Sequence, residues 1–379
     1  MNRITPSPLN PTLNRSEVWR LGLRARAGLR TSILLLALCL VFSGCASSSR
    51  VYIRSHADAA TNRFEFTQPQ MGLPFRIVLY APDAASAQDA SRAAFARIAE
   101  LNDILSDYDA DSELSRLSRT SGSGRAVPVS EDLWRMLERS RALSGQTDGA
   151  FDITVGPYVN LWRKARRERK LPAPERLAEA RAAVGWRNVE LDARSHSATL
   201  RVPNMRLDLG AIAKGYAVDE ALKVIRGRGL TRALVAGGGD MVAGDPPPGK
   251  AGWRVEVAPL DVTNAPPPVF VLLSRAALAT SGDIFQRLEI EGRRYSHIVD
   301  PRTGLGLVDH SLVTIIAPDC TTADSLATAV SVMGPERGWP LVEKTRGVAA
   351  HLVRQPDNEI EAHESRRFNQ YKEKRVVTK

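Results

Sequence analysis

The sequence predicts an α+β fold with largely antiparallel sheets. Three observations carry that prediction. Strand-like segments arrive in pairs, and helical segments are inserted between groups of strands instead of alternating singly with them. The stretch FQRLEIEGRRYSHIVD reads as a hairpin, with alternating residues on either side of Glu291 and Gly292. No repeat with a period of about 20 to 50 residues runs through the chain, which excludes a solenoid.

The elements follow in order. PFRIVLY (74 to 80) is rich in β-branched and aromatic residues and predicts a strand. Residues 84 to 106 predict a helix, because Ala94, Phe95, Ile98, Leu101, Ile104 and Leu105 recur at three and four and make one apolar stripe. Residues 130 to 144 predict a second helix, with Ser130 as N-cap and Gly145 just past its end. Residues 163 to 183, rich in Arg, Glu and Ala, read as a solvated helix. Short strands are expected at 188 to 192, 197 to 202 and 205 to 209, then a helix at 211 to 226 stopped by Gly227 and Gly229. Further strands fall at 232 to 236, 253 to 258, 269 to 273 and 312 to 317. A helix at 322 to 333 and strands near 347 to 354 and 358 to 363 close the fold.

At 379 residues, 43% hydrophobic and 25% charged, the chain falls in the globular range, which excludes collagen-like, disordered and polytopic membrane classes. The net charge of +10 is terminal: residues 1 to 44 carry six Arg and one Glu, and residues 364 to 379 carry six Lys or Arg and two Glu. The stretch between is near neutral and has no basic helix or aromatic-interleaved sheet motif, so no nucleic-acid partner is expected. At the amino end, Arg20, Arg24, Arg26 and Arg30 precede SILLLALCLVF, an apolar run too short to span a bilayer and suited to a secretory signal. The run ends in FSGC and resembles the lipobox of bacterial lipoproteins, with Phe42 in place of the usual Leu. That resemblance implies cleavage before Cys45 and lipid on its sulfur, and so an exported chain on a bacterial membrane facing the periplasm. The expected organisation is a signal peptide over 1–44, a polar spacer over 45–65, one large domain over 66–363 and a basic tail over 364–379. Only Cys320 would remain as a free thiol in the mature chain.

Some motif-like segments carry no chemistry. GDPPPGKA (244 to 251) has P-loop spacing, but Ala251 replaces the hydroxyl residue and three prolines offer no N–H to a phosphate. GGGD (237 to 240) lacks the spacing of a dinucleotide-binding turn. No GxSxG, HExxH or CxxC occurs.

Three segments concentrate small residues, acids and hydroxyls. LDLGAIAKGYAVD (207 to 219) leads Asp208 through a glycine turn into a helix bearing Lys214, which could cradle an anion. It fits a tight packing joint with a solvated lysine equally well. In TTADSLATAVSVMG (321 to 334), Asp324 and Thr328 are four apart and share a helix face, as a pair of oxygen donors for Mg²⁺ would. A dipole-complementing acid and a back-bonding hydroxyl give the same spacing. YSHIVDPRTG (295 to 304) places His297 at a strand end before a turn, where it could act as a base or be purely structural. Together the three offer an anion cradle, a hard-metal pair and a base, the needs of phosphoryl chemistry.

These segments, with MGLPFRI, LSDYDADSELSRL, TDGAFDITVGPYVNLW, VAGGGD and ATSGD, resemble the ApbE family of FAD:protein FMN transferases in order and spacing from about Met71 to Gly338. The resemblance implies an α+β architecture related to the tunnelling fold, with FAD in a cleft between two lobes. It also implies Mg²⁺-dependent transfer of FMN from FAD to a Ser or Thr hydroxyl of an acceptor protein, releasing AMP. The expected acceptor is an exported subunit of a redox complex.

Carried over by position, Met71, Tyr108, Ala150, Phe151, Asp152, Asp208 and Lys214 are expected to bind FAD, and Ile298 to pack on it. Ala211 through its carbonyl, Asp324 and Thr328 are expected to hold Mg²⁺, and His297 to act as the base. Two positions depart from the family pattern: Leu73 stands where many members have Thr, and Ala327 where some carry a second acid. Tyr108 stands where relatives that only hydrolyse FAD carry Asn, which favours transfer over the alternative of a Mg²⁺-dependent FAD pyrophosphatase. A flavin-binding lipoprotein without turnover is a further alternative, and it leaves His297, Asp324 and Thr328 unexplained.

Overall fold

The computed structural model describes residues 61–260, 266–283, 287–290, 292–356 and 359–374; the signal segment and Cys45 lie outside these residues. The described chain opens with a hairpin of β1 (Asn62–Gln70) and β2 (Leu73–Ala81), paired from Asn62 with Ala81 to Gln70 with Leu73. Helix α1 (Ala84–Leu105) follows, started by the Asp83 carboxylate accepting from the Ser86 amide, and it buries the predicted stripe. Next come α2 (Glu113–Ser118), β3 (Val127–Pro128) and α3 (Glu131–Gln146), with Ser130 capping α3 as expected. Gly145 lies inside α3 and not past its end.

The predicted helix over 163 to 183 is two helices, α4 (Gly156–Glu168) and α5 (Pro174–Arg181). Pro172 and Pro174 break the run, because a proline removes an N–H and disfavours helix in the residue before it. Helix α4 is not simply solvated either. Tyr158, Trp162 and Ala165 bury against Leu288, Tyr295 and Val299, and Trp162 donates its indole N–H to the Gly304 carbonyl at 2.8 Å.

Strands β4 (Val189–Asp192) and β5 (Ser197–Leu200) match their predictions. The expected strand at 205 to 209 does not form. That segment is extended chain whose amides go elsewhere: Leu207 donates to the Ser118 hydroxyl and Asp208 to the Ile153 carbonyl, so its apolar residues bury without a ladder.

Helix α6 (Ala213–Gly227) leads to β6 (Ala233–Gly237), β7 (Asp240–Ala243), β8 (Trp253–Val257), β9 (Val269–Leu273) and β10 (Ala277–Gly282). The hairpin predicted from the sequence is β11 (Arg287–Ile290) and β12 (Arg293–Ser296). Then come β13 (Ser311–Ala317), α7 (Cys320–Lys344), kinked at Gly334 before Pro335, β14 (Ala349–Arg354) and β15 (Glu361–Glu364).

The main sheet has eight strands in the order β1-β2-β6-β7-β10-β13-β14-β15, and all its pairings are antiparallel. Helices α1, α6 and α7 cover one face, where Ile77 and Leu79 of β2 and Val313 and Ile315 of β13 point. Alternate residues Val78 and Ile316 point to the other face, under the β8–β9 ribbon and Phe368. Strand β13 is buried at all seven residues, as a strand covered on both sides must be.

Described elements lie on either side of 66–363. Strand β1 starts before 66, and the Leu272 amide bonds to the Tyr371 carbonyl beyond 363. Helices α6 and α7 are tied end to side: Asp219 of α6 accepts from the Cys320 and Thr321 amides at 2.8 Å each. Gly215 permits this contact, since a Cβ there would collide with the Cys320 carbonyl oxygen and approach Asp324.

Candidate active site

The contact between α6 and α7 brings together charges from three distant parts of the sequence. Lys214 in the first turn of α6 reaches Asp324 of α7, with its ammonium 3.2 and 3.1 Å from the two carboxylate oxygens, and donates to the Gly210 carbonyl at 3.0 Å. Asp324 also accepts from the Gly215 amide at 3.0 Å. A second carboxylate, Asp240, stands 2.9 Å from the same ammonium. It opens β7 directly after Gly238 and Gly239, whose positive φ values turn the chain back from β6. Both aspartate side chains are only 3% exposed, against 25% for the lysine. Burial pushes the Asp240 carboxyl up to about 7, helped by the charge of Asp324 and opposed by Lys214. Burial also acts to lower the Lys214 ammonium, but the two carboxylates outweigh it and hold the group above its ordinary value.

One turn along α7, the Thr328 hydroxyl lies 3.1 Å from the Ser281 hydroxyl at the end of β10. Ala211, whose carbonyl was the expected third metal ligand, sits half-buried in the turn before α6, three residues from Lys214. Among the described residues no group of three or more His, Cys, Asp and Glu is placed to hold a metal. A carboxylate with neighbouring hydroxyls is the donor set that suits Mg²⁺, a hard ion that keeps waters and takes substrate phosphate. One ammonium faces two buried carboxylates, which leaves the centre short of positive charge when both are ionised.

A second cluster gathers around Arg163 of α4. Its guanidinium meets both oxygens of Asp107, at 2.5 and 3.2 Å, reaches Asp208 at 3.3 Å, and stacks 3.9 Å from the centre of the Tyr108 ring. Tyr108 is 75% exposed, the largest value among the exposed large hydrophobics, so its free face is open to a planar ligand. Burial raises the Asp208 carboxyl to about 6, with the charge of Asp107 adding and Arg163 opposing.

The remaining predicted residues fall into two settings. Ala150 and Ile298 are brought together in one small apolar cluster with Val332. Phe151 is buried in the main core. The Asp152 carboxylate is engaged inside the protein, accepting from the Thr154 amide and hydroxyl and from the Trp186 amide, and burial raises its pKa. Met71 takes a positive φ in the β1–β2 turn, and two residues on Leu73 lies against Gly238, beside the turn that launches Asp240. His297 is exposed just past β12, and its neighbours are pinned: Ser296 donates its amide to Leu307, and Ile298 accepts from the Leu307 amide.

Sequence reasoning did not assign Asp240, Ser281, Asp107 or Arg163. The first two lie in VAGGGD and ATSGD, where the small residues were the only signal, and Arg163 is hidden in the basic run RKARRERK.

The chain belongs to the ApbE family, whose model matches residues 71–352. It is similar to an FAD:protein FMN transferase of Haemophilus influenzae, 33% identical over 281 residues covering 72% of this chain and 81% of that protein. One from Escherichia coli is 30% identical over 348 residues, covering 90% and 97%. Its fold matches the flavin transferase ApbE from Vibrio cholerae with a TM-score of 0.74 at 29% identity, over 82% of this chain and 99% of that one. The apo flavinyl transferase ApbE of Pseudomonas stutzeri matches with a TM-score of 0.73, also at 29% identity, over 82% and 97%.

Proposed function

We propose that the protein is an FAD:protein FMN transferase that moves the FMN half of FAD onto a Ser or Thr hydroxyl of an acceptor protein and releases AMP. The observation that carries this reading is the Lys214–Asp324 centre, with the Thr328 and Ser281 hydroxyls one turn away, inside a chain that matches the family over residues 71–352.

In the reaction, the acceptor oxygen forms a bond to the FMN phosphorus while the bond from that phosphorus to the bridging pyrophosphate oxygen breaks, and AMP leaves with that oxygen. The proton of the acceptor hydroxyl passes to His297, whose exposed position leaves room for a protein substrate. Lys214 holds pyrophosphate oxygens as a point charge. Tyr108, fixed from behind by Arg163, offers its open face to the isoalloxazine ring. Asp324, Thr328 and the Ala211 carbonyl would hold Mg²⁺, which when bound offsets the negative charge that grows on the leaving phosphate.

His297→Ala tests the assignment of the base. FAD affinity should stay within about twofold while transfer slows by at least about a hundredfold. Transfer at the wild-type rate would mean that another group, or none, takes the proton.

We also propose that the chain is exported and lipid-anchored through Cys45, facing the periplasm, where a redox-complex subunit would be its acceptor; the basic n-region, the short apolar run and FSGC support this. Membrane fractionation of the Cys45→Ser protein should find it released, and retention identical to wild type would remove the anchor.

A further inference from the structure

Lys214 has two buried carboxylate partners where one would neutralise it. They are not equivalent. Asp324 is held from two sides, by the ammonium and by the Gly215 amide. Asp240 relies on the ammonium, which lies 2.9 Å from its Oδ2, and its side chain is sealed from water. A buried carboxylate that must share its counter-charge with a second carboxylate is expensive to keep, so its persistence asks for a role. With both aspartates ionised, the centre carries one excess negative charge.

The reading above asks Asp324 to accept a divalent cation. In the free protein that carboxylate is already engaged by a lysine, so the cation and Lys214 compete for it. A flexible ammonium can yield only if another anion receives it, and Asp240 is in contact with it before any ligand arrives. Ala327, buried on the same helix, brings no charge of its own, and among the described residues Asp240 is the acid that shares this ammonium with Asp324.

We propose that Asp240 is a positioning residue that holds Lys214 when a divalent cation takes Asp324, and thereby sets the affinity of the site for that cation. The inference rests on the reading that Asp324 and Thr328 hold such an ion.

The test is Mn²⁺ binding to the purified full chain without FAD, read by the electron paramagnetic resonance of free Mn²⁺, together with thermal melting of the metal-free protein. Asp240→Asn should weaken Mn²⁺ binding by about tenfold or more, because Lys214 then stays on Asp324 and the excess charge is gone. Asp240→Glu should recover most of the affinity. Lys214→Gln removes the competitor and should tighten binding, and in that background Asp240→Asn should cost only a few-fold. The metal-free Tm of Asp240→Asn should not fall, since Lys214 keeps Asp324 as its partner and the second buried charge is removed.

An unchanged Mn²⁺ affinity in Asp240→Asn overturns the proposal. So does a full tenfold loss that persists in the Lys214→Gln background, which would make Asp240 a direct ligand, and so does a lowered Tm with affinity intact, which would make it structural. Should Lys214→Gln not fold, Lys214→Met replaces it, alone and combined with Asp240→Asn. A wild-type protein that binds no Mn²⁺ overturns the cation reading itself, and with it this role, and is told apart from the other outcomes by the wild-type titration alone.

Discussion

Two clusters at the site have the same charges and different architecture. Around Lys214 stand Asp240 and Asp324; around Arg163 stand Asp107 and Asp208. In the first, a compact ammonium on a flexible stem faces two carboxylates that are almost wholly buried. In the second, a planar guanidinium is locked by two contacts to Asp107 and sits over an exposed ring. Lysine can change partners at little geometric cost, whereas an arginine fork cannot. Under the proposed function, the lysine centre would be the one to exchange its counter-charge with an incoming ion or phosphate. The arginine cluster is a fixed platform for Tyr108.

The largest expected effect breaks the exchanging centre. Asp324→Ala should lower transfer by about a thousandfold or more and abolish metal-dependent stabilisation, while leaving Lys214 paired with Asp240. Steady-state kinetics across a Mg²⁺ titration check this, and transfer with an unchanged Mg²⁺ dependence would show that Asp324 is not a ligand.

A smaller effect is expected on the platform. Arg163→Lys keeps the charge but loses the fork on Asp107 and the stacking on Tyr108. FAD affinity should fall by about tenfold and stability by about 1–2 kcal/mol, with dependence on Mg²⁺ unchanged. Isothermal titration with FAD and chemical denaturation measure both. Equal loss of metal affinity would mean that the two clusters are one cooperative unit.

The smallest effect is on pH dependence. Asp208 is raised in the folded protein to about 6, above its ordinary value of 3.8. The native state therefore binds more protons than the unfolded chain between those values, and this group's contribution makes stability fall as pH rises from about 4 to 6. Asp208→Asn should flatten that part of the curve relative to wild type in denaturation across this range. A steeper fall in the variant would contradict the assigned direction.

Much of the fold was legible because its signals are local. The stripe of α1, the Ser130 cap and the turn of the β11–β12 hairpin each depend on residues within a few positions of one another. Strand β1 was not legible, because an edge strand with polar residues on its open face resembles a spacer. Strands β7 and β10 are short and rich in small residues, so their strand character comes from their neighbours in the sheet. The apolar run at 205 to 209 misled for the opposite reason, since its side chains are buried although its backbone bonds to no strand.

Within the site, Lys214, Asp324 and Thr328 stood out by spacing, but their meeting depends on the approach of α6 and α7 at Gly215. VAGGGD drew attention to its glycines and not to Asp240. Its partner lies 26 positions earlier in the chain, and only the β6–β7 turn brings the two together.

The central claim is transfer to a protein, and product stoichiometry tests it most directly. The purified protein is mixed with FAD, Mg²⁺ and a Thr-containing acceptor domain, while AMP, free FMN and acceptor mass are followed together. The account predicts one AMP for each acceptor that gains one FMN, with both lost on chelation. AMP accompanied by equal free FMN and an unmodified acceptor would contradict it and make the protein an FAD pyrophosphatase.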